Sequence, residues 1–247
     1  MENKVLHGDC LELMKDIPDG SIDMILCDLP YGTTACAWDT VIPFAPLWEQ
    51  YKRIIKPNGV IALFGSEPFS SCLRTSNIKM YKYDWVWDKK IPSGMAYCRY
   101  QPMRQHENIL VFYRNRATYN AQLSQRDCPI RAGGNSKSDI NNRGVEAPLR
   151  KTYTHKQPVS IIQFMKTRQE AVHPTQKPVA LCEYLIRTYT NEGETVLDNC
   201  AGSGTIGVAC QNTGRNYILM EKEQKYIDII KERLEQNYRR INENKLF

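Results

Sequence analysis

Ile22-Asp23-Met24-Ile25-Leu26-Cys27-Asp28-Leu29-Pro30-Tyr31-Gly32 is the stretch on which the reading of the fold turns. Its first six residues form an almost unbroken apolar run, the mark of a strand buried on both faces, and the run delivers Asp28 at the strand's carboxyl end. Similar short apolar pieces recur at Val5-Leu6, 60–64, 83–87, 108–113, 195–197 and 217–220. Between them lie segments with helical spacing, at 10–17, 43–56, 67–76, 178–189, 205–211 and 224–240. In the second of these, Phe44, Leu47, Trp48, Tyr51 and Ile54 share one face, and Pro57-Asn58-Gly59 ends it. Strands alternating with helices predict an α/β fold: a doubly wound, mostly parallel sheet with helices on both sides.

The alternation stops between 114 and 172. Gly133-Gly134-Asn135-Ser136, Asn141-Asn142-Arg143-Gly144 and prolines at 129, 148 and 158 make that segment loop-rich, and it reads as an insertion. It carries 11 Lys/Arg against 4 Asp/Glu, whereas the whole chain has a formal charge of +6, so the rest of the chain sums to −1. Positive charge gathered in one segment points to a polyanionic partner there.

A chain of 247 residues can bury a full core without staples. Nine cysteines without a C-x-x-C pair, and only four histidines, argue against a disulfide framework and a zinc site, so no metal is expected. The start, Met1-Glu2-Asn3-Lys4, lacks the pattern of a signal peptide, and no apolar run approaches membrane-spanning length. The expectation is a soluble cytoplasmic protein with no membrane partner.

At the end of Val196-Leu197, the run Asp198-Asn199-Cys200-Ala201-Gly202-Ser203-Gly204-Thr205 turns into a helix. Glycines there permit positive φ and close backbone approach, and a helix N-terminus offers N–H groups to an anionic ligand group. Any tight strand-to-helix turn would look similar. Glu221, 23 residues beyond Asp198 and at the end of the next strand, is placed to accept from both hydroxyls of a ribose, which points to a nucleoside. A solvated charge in Glu221-Lys222-Glu223 is the plainer alternative. Asp9 can accept from an adenine amino group, or simply cap a helix.

Asp28-Leu29-Pro30-Tyr31 has the makings of an amine-activating turn. An aromatic amine is a poor nucleophile because its lone pair is delocalised into the ring. A carboxylate accepting one N–H and a backbone carbonyl accepting the other draw the nitrogen toward tetrahedral geometry. Pro30 restricts Leu29 to an extended conformation, which fixes its carbonyl, and Tyr31 offers a stacking face. A base paired in a duplex could reach such a turn only by leaving the stack. A plain strand-to-turn corner is the bland reading.

The chain resembles the S-adenosylmethionine-dependent DNA amino-methyltransferases of the β group. Asp28-Leu29-Pro30-Tyr31 is similar to that family's D-P-P-Y motif, and Asp198 to Thr205 to its D-P-F-x-G-S-G-T motif. His173-Pro174-Thr175-Gln176-Lys177-Pro178 matches its H-P-T-Q-K-P segment, and Gly8-Asp9-Cys10 and 106–112 resemble two further stretches. The departures are Leu29 for proline, which keeps the acceptor carbonyl, and Asn199-Cys200-Ala201 in the cofactor turn.

The resemblance implies a Rossmann-like sheet of about seven strands in circularly permuted motif order. Residues 1–113 would be the catalytic half, 114–172 an inserted target-recognition region, and 173–247 the cofactor-binding half. Asp28, Leu29, Pro30 and Tyr31 would be catalytic. Asp9, Cys10, Asp28, Thr175, Lys177, Asp198, Asn199, Ala201, Gly202, Ser203, Gly204, Thr205 and Glu221 would line the S-adenosyl-L-methionine site. The implied reaction is site-specific methylation of adenine N6 in double-stranded DNA, since the D-P-P-Y form goes mostly with adenine. Cytosine-N4 methylation, glutamine-amide methylation and a catalytically silent DNA-binding protein are the alternatives. A homodimer and a cognate restriction endonuclease come into consideration as partners, in a bacterial or phage setting. For DNA contact the candidates are Arg114, Arg116, Arg126, Arg131, Arg143, Arg150 and Lys151 in the basic segment. Trp38 beside the catalytic turn and Lys89 after Trp87 complete the set, the latter two with packing and surface snorkelling as plainer roles.

Overall fold

The computed structural model describes residues 3–32, 39–132, 151–165 and 176–243. They form two compact units, Met1–Asn120 with Ser160–Phe247, and Ala121–Val159. In chain order the elements are β1 (Lys4–His7), α1 (Cys10–Leu13), β2 (Ile22–Cys27), α2 (Phe44–Ile54), β3 (Ile55–Gly65), α3 (Phe69–Ser76), β4 (Tyr81–Ser93) and β5 (Arg104–Phe112). The chain continues through β6 (Ser124–Ala132), β7 (Lys151–Lys156), β8 (Ile161–Gln163), α4 (Val179–Tyr189), β9 (Thr195–Asp198), α5 (Thr205–Thr213), β10 (Asn216–Glu221) and α6 (Gln224–Glu243).

The first unit holds an eight-stranded sheet in the order β1-β10-β9-β2-β3-β5-β4-β8. From β1 to β3 neighbouring strands are parallel; β5 is antiparallel to both β3 and β4, and β8 runs parallel to β4. The strand beyond the expected seven is β8. Three residues, with Val86 opposite Ile161, are too few to show a period.

All six residues of β2 are buried. Met24 and Leu26 pack with Leu181, Leu185, Ile206 and Ile230 of α4, α5 and α6 on one face of the sheet. Ile25 and Cys27 pack with Leu47, Tyr51, Ile54 and Leu73 of α2 and α3 on the other. Each such side chain contributes roughly 1.5–3 kcal/mol by leaving water. The one charge in the strand, Asp23, is fully engaged: Lys56 Nζ donates to Oδ1 at 2.6 Å and the Thr195 backbone N–H to Oδ2 at 3.0 Å. That carboxylate ties β3 and β9 to β2 and fixes the register of the strands that carry the candidate site. The helix expected over 10–17 is shorter: α1 gives way to a 3-10 turn, Met14–Asp16, before Pro18.

The second unit contains β6 and β7, an antiparallel pair with Gln125 opposite His155 and Arg131 opposite Thr152. It lies within the segment read as loop-rich, where Thr152, Tyr153 and Thr154 supply β-branched and aromatic residues among polar ones. Among the described residues no helix is long and apolar enough to cross a membrane.

Candidate active site

β2 and β9 are parallel neighbours, with Met24 opposite Val196 and Ile25 opposite Leu197. From β2 the sheet continues one way through β3, and from β9 the other way through β10 and β1. Where connections diverge like this, a crevice opens beyond the carboxyl ends of the strands. A cavity of about 440 Å³ occupies that position, and its walls include Asp28, Tyr31, Asp198, Gly202, Thr205 and Glu221. The two turns singled out in the sequence therefore share one cavity.

One half of the cavity is built from backbone hydrogen bonds. Gly202 and Gly204 have φ of 51° and 76°, and a Cβ on Gly204 would come within 3.0 Å of the Ile230 side chain. The Ala201 N–H donates to the Met220 carbonyl at 2.9 Å. Glu221 Oε2 accepts from the Gly202 N–H at 2.8 Å, while Oε1 accepts from the N–H groups of Lys222 and Glu223 at 2.8 and 2.9 Å. A carboxylate has about four acceptor positions, so Glu221 anchors the glycine turn with one still open for a ligand hydroxyl. Tyr51 Oη donates to Asn199 Oδ1 at 2.5 Å, pinning the turn to α2.

Asp198 is 2 % exposed and its Oδ1 accepts from the Cys200 N–H at 3.1 Å. Burial outweighs that bond and pushes its carboxyl up to about 7. Asp9 lines the cavity and also caps α1, its Oδ1 accepting from the Leu11 N–H at 2.9 Å. Cys10 and Ser203 are in the wall as well, the latter donating to Gln176 Oε1 at 3.2 Å. Thr205 Oγ1 is buried in the cavity wall with no hydrogen-bond partner among the described residues.

The other half is held by side-chain charges. Tyr31 Oη donates to Asp28 Oδ1 at 2.7 Å, and Lys177 Nζ donates to Oδ2 at 2.5 Å. Lys177 Nζ also lies 3.4 Å from Glu107 Oε2, and Lys89 Nζ lies 3.3 Å from Glu107 Oε1. The result is a row of alternating charge, Lys89, Glu107, Lys177, Asp28. Burial would lower the Lys177 pKa, but Asp28 and Glu107 override it and raise it, so the ammonium is fixed. Burial would likewise raise Glu107, and the two lysines bring it below the ordinary carboxylate value. Tyr31 stacks on Phe69 with centroids 4.8 Å apart, and Phe64 and Trp87 add apolar wall. Leu29 is buried at 3 % exposure, so the turn is seated in the core.

Glu107, Gln176, Phe64 and Trp87 were not marked as site residues by sequence reasoning. Glu107 had a signal: it is the charge that precedes the apolar run of β5, and only pairing across β4, with Trp87 opposite Glu107, turns it toward the cavity. Lys89 requires a correction. Expected as a DNA contact, or else a surface lysine, it is 6 % exposed and engaged with Glu107, because β4 carries it into the sheet edge.

Arg114 donates to the Lys52 carbonyl at the end of α2, and Arg116 is exposed. In the second unit Arg131 and Lys151 are exposed, and Arg126 Nε donates to the His155 carbonyl at 3.1 Å. Thr175, Trp38, Arg143 and Arg150 lie outside the described residues.

Comparison with known proteins agrees with this geometry. A family model described as DNA methylase, for the N6/N4 type, matches residues 22–232. Type II methyltransferase M.HpaI of Haemophilus parainfluenzae is 28 % identical over 96 % of this chain and 76 % of its own. Type II methyltransferase M.HinfI of Haemophilus influenzae is 28 % identical over 94 % and 68 %. Among solved structures, the M1.HpyAVI–SAM complex superposes with a TM-score of 0.63 at 25 % identity, covering 94 % of this chain and 99 % of that one. The cytosine-N4-specific PvuII DNA methyltransferase shares the fold with a TM-score of 0.68 at 16 % identity, over 98 % and 93 %. With the match running through both turns and the strands that hold them, this chain belongs to the N6/N4 DNA methylase family.

Proposed function

We propose that the protein methylates the N6 amine of an adenine extruded from double-stranded DNA, using S-adenosylmethionine as donor. The observation that carries this reading is the single cavity lined by both the Asp28 turn and the glycine turn, the latter through Gly202 and Ser203 with Gly204 behind the wall. The residues present suit the cofactor. Asp9, Asp198 and Glu221 give a cationic nucleoside three carboxylates, and the unpartnered Thr205 Oγ1 is a polar atom awaiting a ligand. Glu221 would take the ribose and Asp9 the adenine. Asp198 and the 199–205 turn, with Cys10, would hold the remainder, and Thr175 and Lys177 would close the methionine end.

When bound, the cofactor supplies a methyl group made electrophilic by a sulfonium. The chain supplies the nucleophile's geometry. Asp28 and the Leu29 carbonyl accept the two amine hydrogens, Pro30 fixes that carbonyl, and Tyr31, backed by Phe69, stacks on the base. For the amine to reach Asp28 Oδ2, Lys177 must yield it, and Glu107 gives Lys177 a second counter-ion to move toward. Asp28 then takes the proton released once the methyl group has moved. The basic segment, including Arg126, Arg131 and Lys151, serves target recognition in this reading, and Arg114 and Arg116 lie at its start. The naming of M.HpaI and M.HinfI as type II methyltransferases supports a restriction endonuclease as functional counterpart in a bacterial cytoplasm.

Incubation with methyl-labelled cofactor and mixed-sequence DNA, then nucleoside analysis, is expected to yield N6-methyladenine. Label in N4-methylcytosine alone would transfer the assignment to cytosine. Label in RNA or protein alone would overturn it.

A further inference from the structure

The hairpin formed by β4 and β5 continues past the cavity. Trp87 and Glu107, paired across it, are cavity wall; the next pairs are Asp88 with His106 and Ser93 with Arg104. Three residues of β5 carry it about 10 Å beyond the wall, on the edge where β2 and β9 also end. Between the last two pairs lie four residues of β4, 89–92, against one of β5, and Lys90 stands at φ 62°. Such a bulge bends a strand and re-aims the residues beyond it. Arg104 donates to Ser66 Oγ at 2.6 Å, fastening the base of the hairpin to the end of β3.

The tip is a hydrogen-bonded turn that leaves apolar side chains exposed. Its backbone closes on itself through Tyr97 N–H to Gly94 (2.9 Å), Cys98 N–H to Met95 (3.2 Å) and Tyr100 N–H to Tyr97 (2.9 Å). Nevertheless Met95, Tyr97 and Tyr100 are 69, 61 and 87 % exposed. Residues 89–104 contain Lys89, Lys90, Arg99 and Arg104 and no acidic residue, and of these four only Lys89 is buried. A firm aromatic tip among cations, beside a pocket that must receive a base, suits a partner with flat apolar faces inside a polyanionic sheath.

We propose that the β4–β5 tip is a DNA wedge: Tyr100 enters the duplex and stacks in the space left by the extruded base, while Arg99 and Lys90 lie on the flanking phosphates. The proposal rests on the reading of function above. It is tested with Tyr100→Ala and Tyr100→Phe on a duplex carrying a fluorescent analogue at the target base, located beforehand by sequencing modified bases. The wild-type protein should brighten the analogue on binding. Tyr100→Ala should abolish most of that rise and lower kcat/KM for DNA roughly 5- to 150-fold, the worth of one base–aromatic stack. Tyr100→Phe should restore both, with cofactor affinity and Tm unchanged throughout.

Wild-type brightness and kcat/KM in Tyr100→Ala would overturn the wedge while leaving the methyltransferase reading intact. So would weaker DNA binding with the brightness kept, or a loss of self-association with DNA binding unaltered, which would assign the tip to a second copy of the chain. Absence of any DNA methylation by the wild-type protein would instead remove the reading and the wedge together.

Discussion

The two halves of the cavity are held by different forces. Around Glu221 and the glycine turn most donors are backbone: three N–H groups converge on one carboxylate, and a side-chain bond from Tyr51 pins Asn199. Around Asp28 the bonds run between side chains: Lys177 forms an ion pair with one carboxylate oxygen and the Tyr31 hydroxyl donates to the other. A socket of backbone bonds keeps its shape before and after a ligand enters. A row of alternating charges has to be redistributed when a neutral amine claims one of its members. The difference suits a protein that holds one partner as a nucleoside and must make way for the other, and each half can be broken separately.

The largest effect is expected from Asp28→Ala. Methyl transfer should fall by about 10³-fold or more, because the amine loses the acceptor that localises its lone pair. Cofactor affinity, set mainly by the other half, should fall far less, by no more than about tenfold, as read by calorimetric titration beside single-turnover kinetics. In the opposite half, Glu221→Ala should weaken cofactor binding roughly 10- to 150-fold and lower Tm as well. Three backbone donors lose a charged acceptor worth about 1.5–3 kcal/mol, and the glycine turn loses its anchor. An unchanged Tm would mean that the anchoring is idle.

Glu107→Gln is expected to separate the halves more finely. With only Asp28 left as its full counter-ion, Lys177 should yield the carboxylate less readily, slowing transfer about tenfold with cofactor affinity preserved. If transfer were unchanged, Lys177 would not need a second carboxylate.

Asp198 adds a pH signature to the socket. The folded protein keeps this proton up to about 7. The unfolded chain releases it near pH 4, so ionising Asp198 costs the ligand-free protein stability as pH rises through that window. A cationic ligand favours the ionised form. Affinity for S-adenosylmethionine should therefore climb with pH to about 7 and then level, by up to about tenfold per unit, and Asp198→Asn should flatten the slope. The smallest effect should come from Thr205→Val, since Oγ1 has no partner to lose in the free protein. Tm should hold, while cofactor affinity drops about fivefold, the worth of one hydrogen bond.

Much of the scaffold was legible because β2 is buried on both faces, which leaves no polar alternation and forces an apolar run ending at a carboxylate. Asp28, Asp198 and Glu221 obey the same logic, each standing at or just beyond a strand's carboxyl end. The residues that sequence did not disclose depend on pairing across the sheet. Glu107 and Lys89 sit among strand residues of either polarity, and only the pairing of β4 with β5 brings Lys89 to Glu107, which in turn faces Lys177. The short β8 was hidden because its three residues lie in a polar, proline-containing stretch. The β4–β5 tip was unreadable for a related reason: its aromatic residues look like core until the bulge at 89–92 lifts them clear of it.

In the proposed reaction one cavity brings a methyl donor and a base amine together across the ends of β2 and β9. A crystal structure of the protein with S-adenosylmethionine bound tests it most directly. The account predicts the ribose at Glu221 and the sulfonium methyl group directed at the space between the Asp28 carboxylate and the Leu29 carbonyl. A cofactor seated outside this cavity, or with its methyl group turned away from Asp28, would contradict it.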